Sequence, residues 1–126
     1  MNRFELLNLL ESLKLDPNED WLIAGAAMVF YGFRKETRDL DLGCTSKLAD
    51  DLEAKGYPTD IMPDGTRKIC PAPDVEIFEN WIYDQVEIVD GIPVISASGL
   101  VTMKKSIGRE KDIKDIQLIE SRLDNR

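Results

Sequence analysis

The chain has 126 residues, 43% of them hydrophobic, and a formal charge of −8 from 16 basic and 24 acidic side chains. That length suits one domain, 1–126, able to bury its own core, and the composition excludes a chain disordered throughout. Net acidity disfavours a nucleic-acid acceptor or a broad nucleic-acid surface. Two distant cysteines, Cys44 and Cys70, with no histidine anywhere, exclude the common zinc arrangements.

The charge is uneven. The last 26 residues carry seven basic and five acidic side chains, so the net-positive segment of an acidic chain is its C-terminal part. The acidic remainder is compatible with a metal ion or a basic protein partner. The longest uncharged run, Trp21 to Phe33, is 13 residues, against about 20 for a membrane span. Charges interrupt the apolar period of the first residues, unlike a signal peptide. A soluble, cytoplasmic protein with reduced, partly buried thiols is expected.

In chain order, Phe4, Leu6, Leu7, Leu10 and Leu13 recur at helical spacing and predict an amphipathic helix over about 3–14, broken at Asp16-Pro17-Asn18. Trp21 to Ala24 predicts a buried strand ending at Gly25, with a short helix starting straight after it. Arg34 to Thr37 is a polar loop, and Arg38-Asp39-Leu40-Asp41-Leu42 alternates as a strand does. Thr45 or Ser46 can cap a helix over 47–55 that ends at Gly56.

Ile61-Met62, a Pro63-Asp64-Gly65 turn and a return strand over 67–70 follow, with Pro71 and Pro73 interrupting the ladder. Asp74 to Phe78 alternates again. A turn of helix is expected around Trp81, and Trp21 and Trp81 read as core or rim packing. Residues 86–95 predict a hairpin through Asp90-Gly91, with Pro93 implying a sheet edge. Ser96 or Ser98 caps a helix to about Ile107. After Gly108, a last helix over 110–123 carries Ile113, Ile116, Ile119 and Leu123 on one face. The pattern is an α/β or α+β domain around one mixed sheet.

The chemistry concentrates at Asp39 and Asp41. Two carboxylates at i and i+2 on a strand share a face, about 6–7 Å apart along the backbone. Such charges repel and raise one pKa unless a cation sits between them. Hard divalent ions, Mg²⁺ or Mn²⁺, favour these oxygens together with phosphates. A third carboxylate follows on the next alternating strand, Glu76, with Asp74 as its rival on the same face. Gly25, opening a helix, offers backbone N–H groups to a phosphate. Arg34, Lys35 and Arg38 are nearby loop cations. Without histidine, no Ser-His or Cys-His mechanism is available.

Ile23-Ala24-Gly25-Ala26-Ala27, Arg38-Asp39-Leu40-Asp41-Leu42 and Asp74-Val75-Glu76-Ile77 together resemble the nucleotidyltransferase superfamily. Gly25 to Asp41, with Tyr31-Gly32, Arg34 and Thr37 between, is similar to its small branch of abortive-infection toxins from toxin–antitoxin pairs. So are Met103-Lys104 and Arg109-Glu110-Lys111-Asp112 with Asp115. The resemblance implies a nucleotidyltransferase-like mixed sheet flanked by helices, with Asp39, Asp41 and Glu76 as catalytic metal ligands for two Mg²⁺ ions. It implies that Gly25, Ala26, Arg38, Lys104 and Arg109 face a nucleoside triphosphate, and that a nucleoside monophosphate passes to an acceptor hydroxyl. One departure stands out: Ala26 replaces the usual Gly or Ser and leaves only a backbone N–H for phosphate. A degenerate member that binds a nucleotide or a protein partner as a regulator is the alternative reading.

Overall fold

The structure, a computed structural model, describes residues 1–124. Helix α1 (Arg3–Leu13) starts on a capping box, in which the Asn2 side chain accepts from the Glu5 N–H and Glu5 returns the bond. It ends on a left-handed Lys14. Its inward residue is Leu6, while Phe4, expected on the apolar face, is 70% exposed.

Strand β1 (Asp20–Leu22) leads into α2 (Ala24–Phe30), which starts two residues earlier than the sequence suggests, so Gly25 lies inside its first turn. Ala24 holds a left-handed φ of 52° at this corner. Strand β2 (Leu40–Cys44) also begins later than its alternation implies, leaving Arg38 and Asp39 in the approach to it. Helix α3 (Ser46–Ala54) is capped by Thr45, whose side chain accepts from the Leu48 N–H.

Strands β3 (Thr59–Ile61), β4 (Arg67–Ala72) and β5 (Val75–Glu79) form a meander. Pro71 does not stop β4, because the β4–β5 register shifts between Ile69 and Ala72 and an irregularity there absorbs the missing N–H. The helical turn expected around Trp81 is an irregular loop. Strands β6 (Val86–Val89) and β7 (Ile92–Ile95) form the predicted hairpin. Helix α4 (Ala97–Ile107), capped by Ser96, ends at the left-handed Gly108 before α5 (Glu110–Asp124).

The seven strands make one mixed sheet in the order β3-β4-β5-β2-β1-β7-β6. Pro93 is therefore not on an edge strand: β6 is the edge, and β7 lies between it and β1. The short β1 meets β7 in register at Leu22–Val94, so little of the β7 ladder depends on position 93. One face of the central strands carries Leu40, Leu42, Ile69, Val75 and Ile77, all at 1% exposure or less, into the main core. On α5 the expected apolar face is corrected. Ile113 is 51% exposed, and the inward positions go to Asp112, Asp115 and Ile119.

Candidate active site

Strands β2 and β5 run parallel at the sheet centre, with Asp41 registered directly against Glu76. Parallel neighbours stand about 4.8 Å apart and paired residues share a face, so both carboxylates point away from the leucine face. The Ile23 N–H donates to the Asp41 carbonyl (3.0 Å), tying the β1–α2 corner to this residue. Asp39, one residue before β2, lines the same cleft as Asp41 and Glu76. Asp74 does not line it: it is exposed, with φ 61° in the β4–β5 turn, and its carbonyl accepts the Leu40 N–H (2.8 Å).

Burial, reinforced by the Glu76 and Asp39 charges, pushes the Asp41 carboxyl up to about 7, against the opposing pull of Lys111 and Lys104. Burial is the main cause, and the neighbouring carboxylates add to it. Among the described residues no three acidic or cysteine side chains are already grouped to hold a metal ion. The donor set is carboxylate oxygen alone, which suits a hard divalent cation.

The cleft, of about 850 Å³, is also lined by Gly25, Arg34, Arg38, Lys104, Arg109 and Lys111. Gly25 is there for closeness: a Cβ on it would lie 2.1 Å from Thr37 Oγ1. Ala26 is different. It is fully buried behind the cleft wall, so its expected contact with phosphate is corrected to a core role.

Lys104 is 4% exposed, and its Nζ lies 2.9 Å from Asp115 Oδ2 and 3.4 Å from Asp112 Oδ1. Asp115 also accepts from Arg34 Nη2 (2.6 Å), and Asp112 from Arg109 Nε (2.7 Å). Burial alone would raise both aspartates. The bonds from Arg109 to Asp112, and from Lys104 and Arg34 to Asp115, outweigh it and hold both below the usual carboxylate range. The wall is thus a chain of alternating charges, Arg34–Asp115–Lys104–Asp112–Arg109. Among the described residues, Arg38 and Lys111 line the cleft without an ion pair.

Two aromatic lining groups were not expected at the site: Phe78, and Trp81, which the sequence reads as core or rim packing. Phe78 was accessible in principle, since it sits two residues after Glu76 on an alternating strand. Cys44 and Cys70 are free thiols, as expected, and burial pushes Cys44 up to about 12, so it is no nucleophile. No helix among the described residues is long and apolar enough to cross a membrane.

No family model matches the chain, and no curated protein matches it. Solved structures do. A candidate nucleotidyltransferase from Thermotoga maritima superposes with a TM-score of 0.64 at 17% identity, over 100% of this chain and 97% of that one. ANT(2″)-Ia, solved in complex with adenylyl-2″-tobramycin, superposes with a TM-score of 0.54 at 15% identity, over 94% of this chain and 85% of that one. The chain therefore has a nucleotidyltransferase-like fold.

Proposed function

We propose that this chain is a metal-dependent nucleotidyltransferase that moves a nucleoside monophosphate from a nucleoside triphosphate to an acceptor hydroxyl. The observation that carries this is the in-register Asp41–Glu76 pair, with Asp39 at the same cleft and a cationic wall facing it. Asp39, Asp41 and Glu76 would hold Mg²⁺ or Mn²⁺, which supplies Lewis-acid polarisation of phosphate and lowers the pKa of a bound hydroxyl.

The chain's own groups supply the rest. Arg38 and Lys111 are the cations available to phosphate oxygens, while Arg34 and Arg109 are held at the wall by Asp115 and Asp112. Lys104 contributes its charge from behind, and a direct phosphate contact requires it to loosen from Asp115. In the transfer, the acceptor oxygen bonds to the α-phosphorus and the bond from that phosphorus to the bridging oxygen of the β-phosphate breaks. Pyrophosphate leaves with the electron pair, and the acceptor proton passes to a carboxylate, a role this reading gives to Glu76, which lines the cleft. Spacing within Gly25 to Asp41 aligns the chain with the small toxin-type branch, and its acidic body suits a basic protein partner. Both remain part of this proposal.

The test is pyrophosphate release with Mg²⁺ or Mn²⁺ and each nucleoside triphosphate in turn, across candidate acceptors. Asp41→Asn and Glu76→Gln should each reduce it about 100-fold or more. Nucleotide binding by the wild type without release under any combination would replace this reading with the regulator.

A further inference from the structure

Two residues beyond Glu76, the alternation of β5 returns Phe78 to the cleft face, about 7 Å further along. Opposite Phe78, β2 carries Gly43, which has no side chain to offer. A Cβ there would stand 2.1 Å from Trp21 Nε1 and 2.8 Å from the Trp81 carbonyl oxygen. In the space this leaves, Trp21 Nε1 donates to that carbonyl (2.9 Å) and pins the loop after β5 over the sheet.

The Trp81 ring is then fixed from several sides. It stacks on Phe78 with centroids 4.4 Å apart and planes 25° apart, and Tyr83 meets it edge-on at 6.4 Å. Its Nε1 donates to Thr66 Oγ1 (3.2 Å). Despite these restraints the indole is only half-buried and lines the cleft. The cleft is thereby polarised. Cations reach it from the loop before β2 (Arg34, Arg38), from α4 (Lys104) and from the start of α5 (Arg109, Lys111), whereas Phe78 and Trp81 belong to β5 and its following loop. The carboxylates lie between.

The geometry points to an acceptor subsite on the Trp81 indole, backed by the buried Phe78 ring, that takes a hydroxyl compound with a flat ring. This rests on the transfer reading for the ligand's role as acceptor. Phosphates belong with the cations, so the aromatic end receives what is not phosphate. Glu76, one pleat from Phe78, stands where the hydroxyl of a ring-anchored compound meets a proton-accepting carboxylate. A preorganised indole face favours a planar ring over a puckered one of equal size by about 2- to 10-fold.

The experiment titrates 2-phenylethanol and its saturated analogue, 2-cyclohexylethanol, into the protein without nucleotide, following the indole N–H signals of Trp21 and Trp81 by NMR. Wild type should prefer 2-phenylethanol and shift the Trp81 signal. Fluorescence titration should show that preference lost in Trp81→Ala and kept in Trp81→Phe, which retains a flat ring and guards against a mere folding defect. Mg²⁺–ATP and Mg²⁺–tripolyphosphate, titrated separately, should bind Trp81→Ala and wild type within about two-fold of each other. Equal affinities of wild type for the two alcohols would overturn the proposal. So would selective loss of Mg²⁺–ATP binding in Trp81→Ala, which would assign the platform to the donor's base. A ring preference in protein that binds none of the nucleoside triphosphates with Mg²⁺ would support the ring site while refuting the transfer reading.

Discussion

Lys104 and Asp115 face each other at 2.9 Å in the cleft wall, on helices that meet across Gly108, with the lysine almost wholly buried. Without Lys104, Asp115 keeps only Arg34 and Asp112 only Arg109, so Lys104→Ala loses a charge-assisted contact and should lower the unfolding free energy by about 2 kcal/mol. Lys114→Ala, at an exposed position of α5, should change it by less than about 0.5 kcal/mol. Urea denaturation of both variants checks this. Equal stabilities would mean that the network does not hold α4 to α5.

Stability should depend on pH with opposite signs in two windows. Arg67 hydrogen bonds pull the Glu79 carboxyl down to about 2. Its contribution is full above its ordinary value near 4.5 and is lost as pH falls towards 2. Asp41 is raised to about 7, so its contribution is full below its ordinary 3.8 and is lost as pH rises through 7. Glu79→Gln should flatten the acid limb. Asp41→Asn should remove the decline between pH 4 and 7, stabilising the metal-free protein at pH 8 by on the order of 2 kcal/mol after allowance for water in the cleft. Urea midpoints across pH 2–8 read both.

Burial and the Glu76 and Asp39 charges hold Asp41 high, so a divalent ion bound beside it should favour the carboxylate and offset that penalty. Mg²⁺ or Mn²⁺ at ten times its dissociation constant should stabilise wild type by about 1.4 kcal/mol at pH 8. Asp41→Asn should gain much less. Thermal unfolding with added metal, then with chelator, measures the difference. An equal gain in both proteins would place the ion elsewhere.

Gly43→Ala tests the seat beneath Trp81. Its Cβ would fall 2.1 Å from Trp21 Nε1, so the indole must move and its bond to the Trp81 carbonyl must break. A loss of about 1–3 kcal/mol is expected. A changed tryptophan emission and a moved Trp21 indole N–H signal should accompany it. An unchanged spectrum would show that the loop after β5 is held by other contacts.

Much of the site was legible because strand alternation is a local property. Period two around Asp41 and around Glu76 puts each on one face, and only the strand pairing was left for the fold to supply. The failures have physical causes of a different order. Asp112, Asp115 and Ile113 read as a polar side and an apolar side of α5, yet the aspartates turn inward because Lys104 on α4 and Arg34, far away in sequence, meet them there. Periodicity cannot register such partners. Pro71 reads as interrupting its ladder and Pro93 as marking an edge strand, but a register shift accommodates the first and a short neighbouring strand the second. Trp81 lies in a segment resembling a helical turn, and its position depends on a side chain missing at Gly43, some forty residues earlier.

The inward aspartates of α5 give that helix a second character. It is a resident counter-anion, already seated on the guanidinium groups that an incoming phosphate would seek. A phosphoryl ligand at this wall comes as a competitor for Arg34 and Arg109 and must share them with Asp115 and Asp112. Its grip and the docking of the last helix then draw on the same charges, and salt that screens one screens the other. On the proposed transfer reading, pyrophosphate held tightly at Arg34 would compete with Asp115 and loosen the docking of α5.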